Sequence, residues 1–279
     1  MTHTPARGRN QAVRNHAVRN RFLAMGVALA LVSVLGACQP TPTRNDRSKP
    51  VLLVHGFNLT STSTDCGGDF DQMIATLRAN GFTGPMVKVG YYSGDVHCDM
   101  NLHSYGSYGD RDSWKSIAKA FSTYVYNTYT SKGVAVDMVG YSMGGNIVRG
   151  AVWGAEKAEA GFSKPIDAED VLTLGGVHNG AAWFSYLCLW GQCSSLKPGA
   201  TDINWLNQNG NPQGLHGTDF TVIGSNGDAV VPAASATHMT VPASNKVIYA
   251  SVPHTGSNNY MHDPAVLARS VAALAYAGQ

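Results

Sequence analysis

Charge is scarce in this sequence. Asp, Glu, Lys and Arg make up 14% of its 279 residues against 44% hydrophobic content, which excludes a disordered or fibrous chain. The formal net charge of +2 is not a basic surplus, because residues 1–37 hold Arg7, Arg9, Arg14, Arg19 and Arg21 and no acidic residue. Beyond them 15 Lys and Arg face 18 Asp and Glu, a balance near −3 that gives no electrostatic case for binding nucleic acid. There are only five cysteines and no CxxC pair, so a zinc-ribbon type of site is not signalled. A GxGxxG turn between strand and helix is missing as well, so no nucleotide cofactor is implied. No long-period repeat interrupts the chain, and nothing after Pro50 reads as a linker. One domain is the expectation.

The N-terminus reads as an export signal. An Arg-bearing polar stretch leads into the 16 uncharged, mostly apolar residues Phe22–Ala37, a run short for a membrane-spanning helix. Leu35-Gly36-Ala37-Cys38 then sets small residues directly before a cysteine and resembles the lipobox of bacterial lipoproteins. That resemblance implies a signal peptide over 1–37, lipidation at Cys38 and attachment to the membrane of the bacterial cell envelope. The plainer alternative is an ordinary signal peptide cut near Ala37 and a secreted product. Gln39–Pro50 is polar and Pro-bearing, as a tether would be, and assigns 38–50 to the anchor and 51–279 to the catalytic body. Cys66, Cys98, Cys188 and Cys193 remain, an even number that favours two disulfides in an exported chain. Four cysteines allow three pairings; a small Cys188–Cys193 loop would leave Cys66 with Cys98.

From Val51 onward, strand-like and helix-like runs alternate. Strands are expected at Val51–Val54, Met86–Tyr91, Val134–Val139, Val171–Gly175, Phe220–Ile223 and Lys246–Val252. Helices are expected over Asp69–Asn80, Trp114–Tyr129, Met143 to about Lys157, and Asp263–Ala277. Alternation of this kind predicts an α/β fold with a mostly parallel central sheet and helices on both faces.

Gly140-Tyr141-Ser142-Met143-Gly144 matches G-x-S-x-G, weak evidence alone in a chain with 31 glycines. Context strengthens it, because the motif stands between a buried strand and a helix, as a nucleophile elbow requires. A serine hydroxyl needs an adjacent base, expected on a loop after a late strand, and a carboxylate between the two in the chain. His254 follows the last expected strand, whereas His262 beside Asp263 suits capping or the surface. Asp228 follows Phe220–Ile223, one strand earlier. The expected triad is therefore Ser142, Asp228 and His254. Negative charge on a tetrahedral intermediate needs preorganised donors, for which the backbone N–H groups of Met143 and Phe57 are the candidates. His55 is expected to hydrogen-bond within its loop and shape it.

Pro50–Gly56, the elbow Gly140–Gly145, Thr173-Leu174-Gly175-Gly176, Asp228 and His254 together resemble the secreted bacterial lipases of the α/β-hydrolase superfamily, with the small class 2 and Bacillus lipase A-like enzymes as the nearest pattern. The resemblance runs in order from Pro50 to Ala277. It implies the α/β-hydrolase fold and a serine carboxylic-ester hydrolase, lipase or esterase, working through an acyl-enzyme on Ser142. Asn58–Gly68, Asp95–Asp112 and Trp183–Leu206 look like additions to a minimal lipase, and Gly140 stands where minimal Bacillus lipases often carry Ala. Trp183, Phe184, Tyr186, Leu187, Leu189, Trp190 and Trp205 would form an acyl-binding wall, a lid, or plain core. His178 reads as a neighbour of the site, and His97, Asp99 and His103 as a solvated loop rather than a metal site. No metal or cofactor is expected, the partners are an ester or lipid substrate and the anchoring membrane, and the chain is expected to be a monomer. Polyester depolymerisation or acyl transfer would use the same chemistry, and a non-catalytic surface lipoprotein that binds a ligand is the alternative of a different class.

Overall fold

The computed structural model describes residues 46–58, 62–63, 66, 70–109, 111–181 and 191–275. Its strands, in chain order, are β1 Val51–Val54, β2 Thr62–Ser63, β3 Met86–Gly90, β4 Gly94–Asp95, β5 Met100–Asn101, β6 Val136–Tyr141, β7 Ala168–Leu174, β8 Asp219–Ser225 and β9 Lys246–Tyr249. Among the described residues four helices of eight or more residues accompany them: α1 Asp71–Ala79, α2 Trp114–Thr128, α3 Met143–Glu156 and α4 Pro264–Leu274. Seven strands form one sheet in the order β5-β3-β1-β6-β7-β8-β9, every neighbouring pair parallel. β2 and β4 make a separate parallel pair beside it.

The apolar alternation of the central strands decides the layers. Leu52 and Val54 of β1, with Val136 and Met138 of β6, pack beneath α2 and α3. Val51 and Leu53, with Val139 and Tyr141, pack on the opposite face with α1 and α4. A strand buried on both faces and paired at both edges reads as a continuous apolar run, as Val51–Val54 does. Between β6 and β7 the register slips, with Val136 opposite Ala168 but Met138 opposite Val171, so β7 carries one extra residue. The helix starts are signalled locally: the Ser113 hydroxyl accepts from Lys115 N at 3.0 Å, and Asp263 accepts from Ala265 N and Val266 N ahead of Pro264 in α4.

Several boundaries differ from the sequence expectation: β7 begins three residues earlier, at Ala168, and β9 ends three residues earlier, at Tyr249. β6 runs on through Gly140 and Tyr141 and ends at the nucleophile elbow itself, with Tyr141 paired to Leu174. The fold also takes in Arg47–Pro50, assigned to the tether from composition. The Arg47 guanidinium donates to the Asn80 carbonyl at 2.7 Å, and the Pro50 carbonyl accepts from Asp137 N at 2.9 Å. Lys49 is buried, its Nζ 2.9 Å from Asp137 Oδ1 and 2.8 Å from Glu169 Oε2. Its partners lie over eighty residues away in sequence, so no local pattern announces the contact.

Cys66 and Cys98 form a disulfide. Cys193 is disulfide-bonded as well, while Cys188 and the lipidation candidate Cys38 lie outside the described residues. So do Trp183, Phe184, Tyr186, Leu187, Leu189 and Trp190. Trp205 is core, packed among Trp114, Trp153 and Phe162, with its indole N–H bonded to Glu159. Among the described residues no helix is long and apolar enough to cross a membrane.

Candidate active site

Ser142 stands at the end of β6 with φ 54° and ψ −124°, a backbone region that a non-glycine residue enters only when its surroundings enforce it. Those surroundings are visible. Ser142 N donates to the Leu174 carbonyl at 2.8 Å, and Gly145 N donates back to the Ser142 carbonyl at 2.9 Å. A side chain at Gly144 would meet the Val54 carbonyl oxygen at 2.1 Å, so the elbow closes against β1 only with glycine there. Met143, buried, opens α3 directly after the turn and sets the helix N-terminus at the Ser142 side chain.

His254 and Asp228 arrive from the loops after β9 and β8. The Ser142 hydroxyl lies 2.9 Å from His254 Nε2, and His254 Nδ1 lies 2.7 Å from Asp228 Oδ2. The carboxylate can only accept, so Nδ1 carries the ring proton and Nε2 is left to accept from the serine. All three side chains are buried but for a narrow opening. Burial pushes the Asp228 carboxyl up, but the His254 hydrogen bond and charge, with the amides of Val231 and Val230, outweigh it and hold it below the ordinary range. Those two amides each donate to Oδ1 at 2.8 Å, and the Tyr260 hydroxyl donates to Oδ2 at 2.9 Å. Burial, reinforced by the Asp228 charge, raises the Tyr260 phenol, which therefore stays a donor. The Tyr141 hydroxyl donates to the His254 carbonyl and its ring packs against the imidazole. The histidine is thus held by its backbone as well as by its ring.

Gly175 is the hinge of this packing. Its φ is +56°, and a side chain on it would meet Tyr260 at 2.9 Å, His254 Nδ1 at 3.2 Å and Asp228 Oδ2 at 3.3 Å. The turn after β7 must be bare for the triad to assemble over it.

Phe57 lies on the opposite rim. The loop His55-Gly56-Phe57 presses on Ser142 so closely that a Cβ on Gly56 would come within 2.8 Å of Ser142 Cβ. Phe57, Asn58, Ser142, Val177, Ala181, Leu196, Val230, Val231, His254 and Thr255 line one cavity of about 350 Å³, apolar except at the reacting end. This arrangement gives a hydroxyl with an imidazole in contact, a carboxylate to orient that ring, and a helix N-terminus beside the serine. An arrangement of this kind is able to carry out nucleophilic attack on a carbonyl carbon.

The remaining candidates fall elsewhere. His262 lies beside the start of α4, where Asp263 does the capping and the His262 carbonyl accepts from Gln72. His178 is buried against Thr173 Oγ1 at 3.0 Å, and burial keeps it well below the usual histidine range, so it braces the exit of β7 as a neutral ring. Asp99 accepts from Lys88 N at 2.8 Å, and among the described residues no three His, Cys, Asp or Glu side chains are placed to hold a metal. Tyr260, Tyr141 and Gly175 are the site residues that sequence reasoning missed. No motif spacing marks the two tyrosines, and Gly175 was visible only as part of a Gly-Gly pair.

No protein-family model and no curated protein matches the sequence. Solved structures do match in fold. A phospholipase, PlaB from Legionella pneumophila, superposes with a TM-score of 0.55 at 16% identity over 81% of this chain and 58% of its own. Aspergillus fumigatus lipase B gives 0.53 at 16% identity over 86% and 55%. A monoacylglycerol lipase from Paleococcus ferrophilus gives 0.50 at 11% identity over 81% and 93%. The chain thus spans less than two thirds of the first two. The parallel sheet, its helices on both faces and these neighbours establish an α/β-hydrolase fold.

Proposed function

We propose that the protein is a serine carboxylic-ester hydrolase, with Ser142 as nucleophile, His254 as base and Asp228 as the orienting carboxylate. The observation that carries this reading is the unbroken contact chain Ser142 Oγ–His254 Nε2 and His254 Nδ1–Asp228 Oδ2 at the mouth of an apolar cavity. In the proposed cycle His254 takes the hydroxyl proton as Oγ bonds to the ester carbonyl carbon. The oxyanion is met by the N–H groups of Phe57 and Met143. Collapse breaks the bond to the alcohol, which leaves with the proton from His254, and water then repeats the sequence to free the acid and restore Ser142. Lipid-like acyl groups fit the cavity, since Val177, Ala181, Leu196, Val230 and Val231 offer it apolar walls. The named neighbours, a phospholipase and two lipases, agree with that substrate class.

A fluorophosphonate probe tests the assignment directly. Wild-type protein becomes labelled at Ser142, and Ser142→Ala does not; absence of labelling on folded wild-type protein favours a non-catalytic binding protein. We further propose export and lipid attachment at Cys38, which would hold the enzyme near a membrane surface. Cys38→Ser then releases the protein from membranes or blocks its maturation, and unchanged membrane attachment rules lipidation out.

A further inference from the structure

The peptide unit between Gly56 and Phe57 is clamped from its carbonyl side. The Gly56 oxygen accepts from the Tyr91 hydroxyl at 2.6 Å and faces His55 Nδ1 at 2.8 Å. A trans peptide is planar, so its C=O and N–H point in opposite directions, and fixing one edge aims the other. The other edge is the Phe57 N–H, on a loop already in contact with Ser142.

The ring that makes this clamp has an unusual environment. His55 is fully buried, and its second nitrogen, Nε2, lies 3.0 Å from Asp95 Oδ2. Burial raises the Asp95 carboxyl, but His55 and the Tyr91 and Tyr92 amides, which donate to Oδ2 at 2.9 and 2.8 Å, bring it below the ordinary range. Both ring nitrogens therefore face oxygens placed to accept. Tyr91 stacks face to face on it with centroids 4.0 Å apart at 13°, a geometry that suits a cation. Asp95 in turn stands three residues before Cys98, whose disulfide to Cys66 ties down the loop that carries it.

We propose that His55, doubly protonated and paired with Asp95, acts with the Tyr91 hydroxyl to position and polarise the Gly56–Phe57 peptide as an oxyanion donor. A neutral latch would hold the loop as well, but a charged donor on the carbonyl also draws electron density from the amide and strengthens its N–H as a donor. The advantage appears only when the substrate oxygen becomes anionic, so the unit acts on turnover and not on substrate binding. His55, Tyr91 and Asp95 touch no reacting atom; they are positioning residues. The proposal rests on the ester-hydrolase reading above.

The test begins with wild type and Ser142→Ala on a soluble p-nitrophenyl ester. No turnover by folded wild type overturns the ester-hydrolase reading and this unit with it. In an active enzyme, Asp95→Asn, which keeps shape and removes the charge, lowers kcat roughly 30-fold, a fraction of what loss of a whole oxyanion donor costs. KM stays within about twofold, the signature of an interaction made only in the transition state. Proton–nitrogen NMR of the ring reads the unit without activity: wild type shows two N–H protons on His55. An unchanged kcat in folded Asp95→Asn, or a single N–H on His55 in wild type, overturns the proposal while leaving the hydrolase reading intact. If Asp95→Asn does not fold, Tyr91→Phe carries the kinetic test with a several-fold loss of kcat at constant KM, and equal loss in both parameters overturns it.

Discussion

Two buried carboxylate sites lie at opposite ends of the same sheet, and they have opposite fates. Beyond the C-terminal end of β8, Asp228 collects donors from His254, Tyr260 and the amides of Val230 and Val231 and is held ionised. At the N-terminal end of β7, Asp170 finds no hydrogen-bond donor among the described residues, and its nearest cation, Lys49 Nζ, is 3.9 Å away. Burial, with the neighbouring Asp137 adding to it, pushes Asp170 up to about 8; Asp137, for all its contact with Lys49, is pushed by burial to about 7. Burial acts in the same direction at both ends. What separates them is the number of donors.

The comparison breaks first at the Ser142 end, where the proposed function places the largest effects on turnover. Ser142→Ala is expected to lower ester turnover by on the order of a millionfold with an unchanged melting temperature. Substantial turnover by that folded variant refutes the nucleophile. His254→Ala should cost at least roughly a thousandfold, whereas His262→Ala should cost less than about tenfold, because only His254 touches Ser142. A reversed result moves the base to His262. Asp228→Asn should lower turnover by about ten-thousandfold through loss of the tautomer that leaves Nε2 free to accept; a mild effect would mean that Tyr260 and the two valine amides suffice without the charge.

The base of the sheet predicts the reverse pattern: pH-dependent stability with activity untouched. In the folded protein Asp170 and Asp137 keep their protons to about 8 and about 7, whereas in the unfolded chain they ionise near the ordinary 3.8. Their contribution is therefore complete below about pH 4 and is lost as pH rises through those folded values. Asp228, depressed, loses its contribution only as pH falls below the ordinary carboxylate range. Lys49, raised despite the opposing pull of burial, loses its contribution only at alkaline pH above 10.5. Calorimetry between pH 5 and 8 should thus show a falling melting temperature, and Asp170→Asn should flatten that slope while turnover stays within about twofold of wild type at so distant a site. An equal slope in the variant would remove Asp170 from the account.

The same contrast explains what was legible in the sequence. Ser142, Asp228 and His254, whose side chains the fold brings into contact, were singled out by their order among the strands, because an elbow, a carboxylate loop and a histidine loop each follow a recognisable apolar run. The central strands and the four helices announced themselves by periodicity to within a few residues. Contacts that depend on distant chain meeting chain left no such trace. Lys49 sits in a polar run whose composition resembles a tether, and Tyr260 reaches Asp228 from a loop without a motif. Trp205 was one aromatic in a crowded stretch, and an acyl wall and a core look alike until the layers are known. His55 was rightly placed in its loop, but its partner Asp95, forty residues on, was invisible from sequence.

The burial of Lys49 has a mechanical consequence. A pull on the chain ahead of it enters the fold at the start of β1, a strand paired in parallel with β3 on one edge and β6 on the other. Such a load runs along the strand and shears two ladders at once, after first having to draw the Lys49 ammonium out from among its carboxylates. Tension applied ahead of Lys49 would thus be taken up at the foot of the sheet. The loops bearing Asp228 and His254 stand at the other end, outside the line of force.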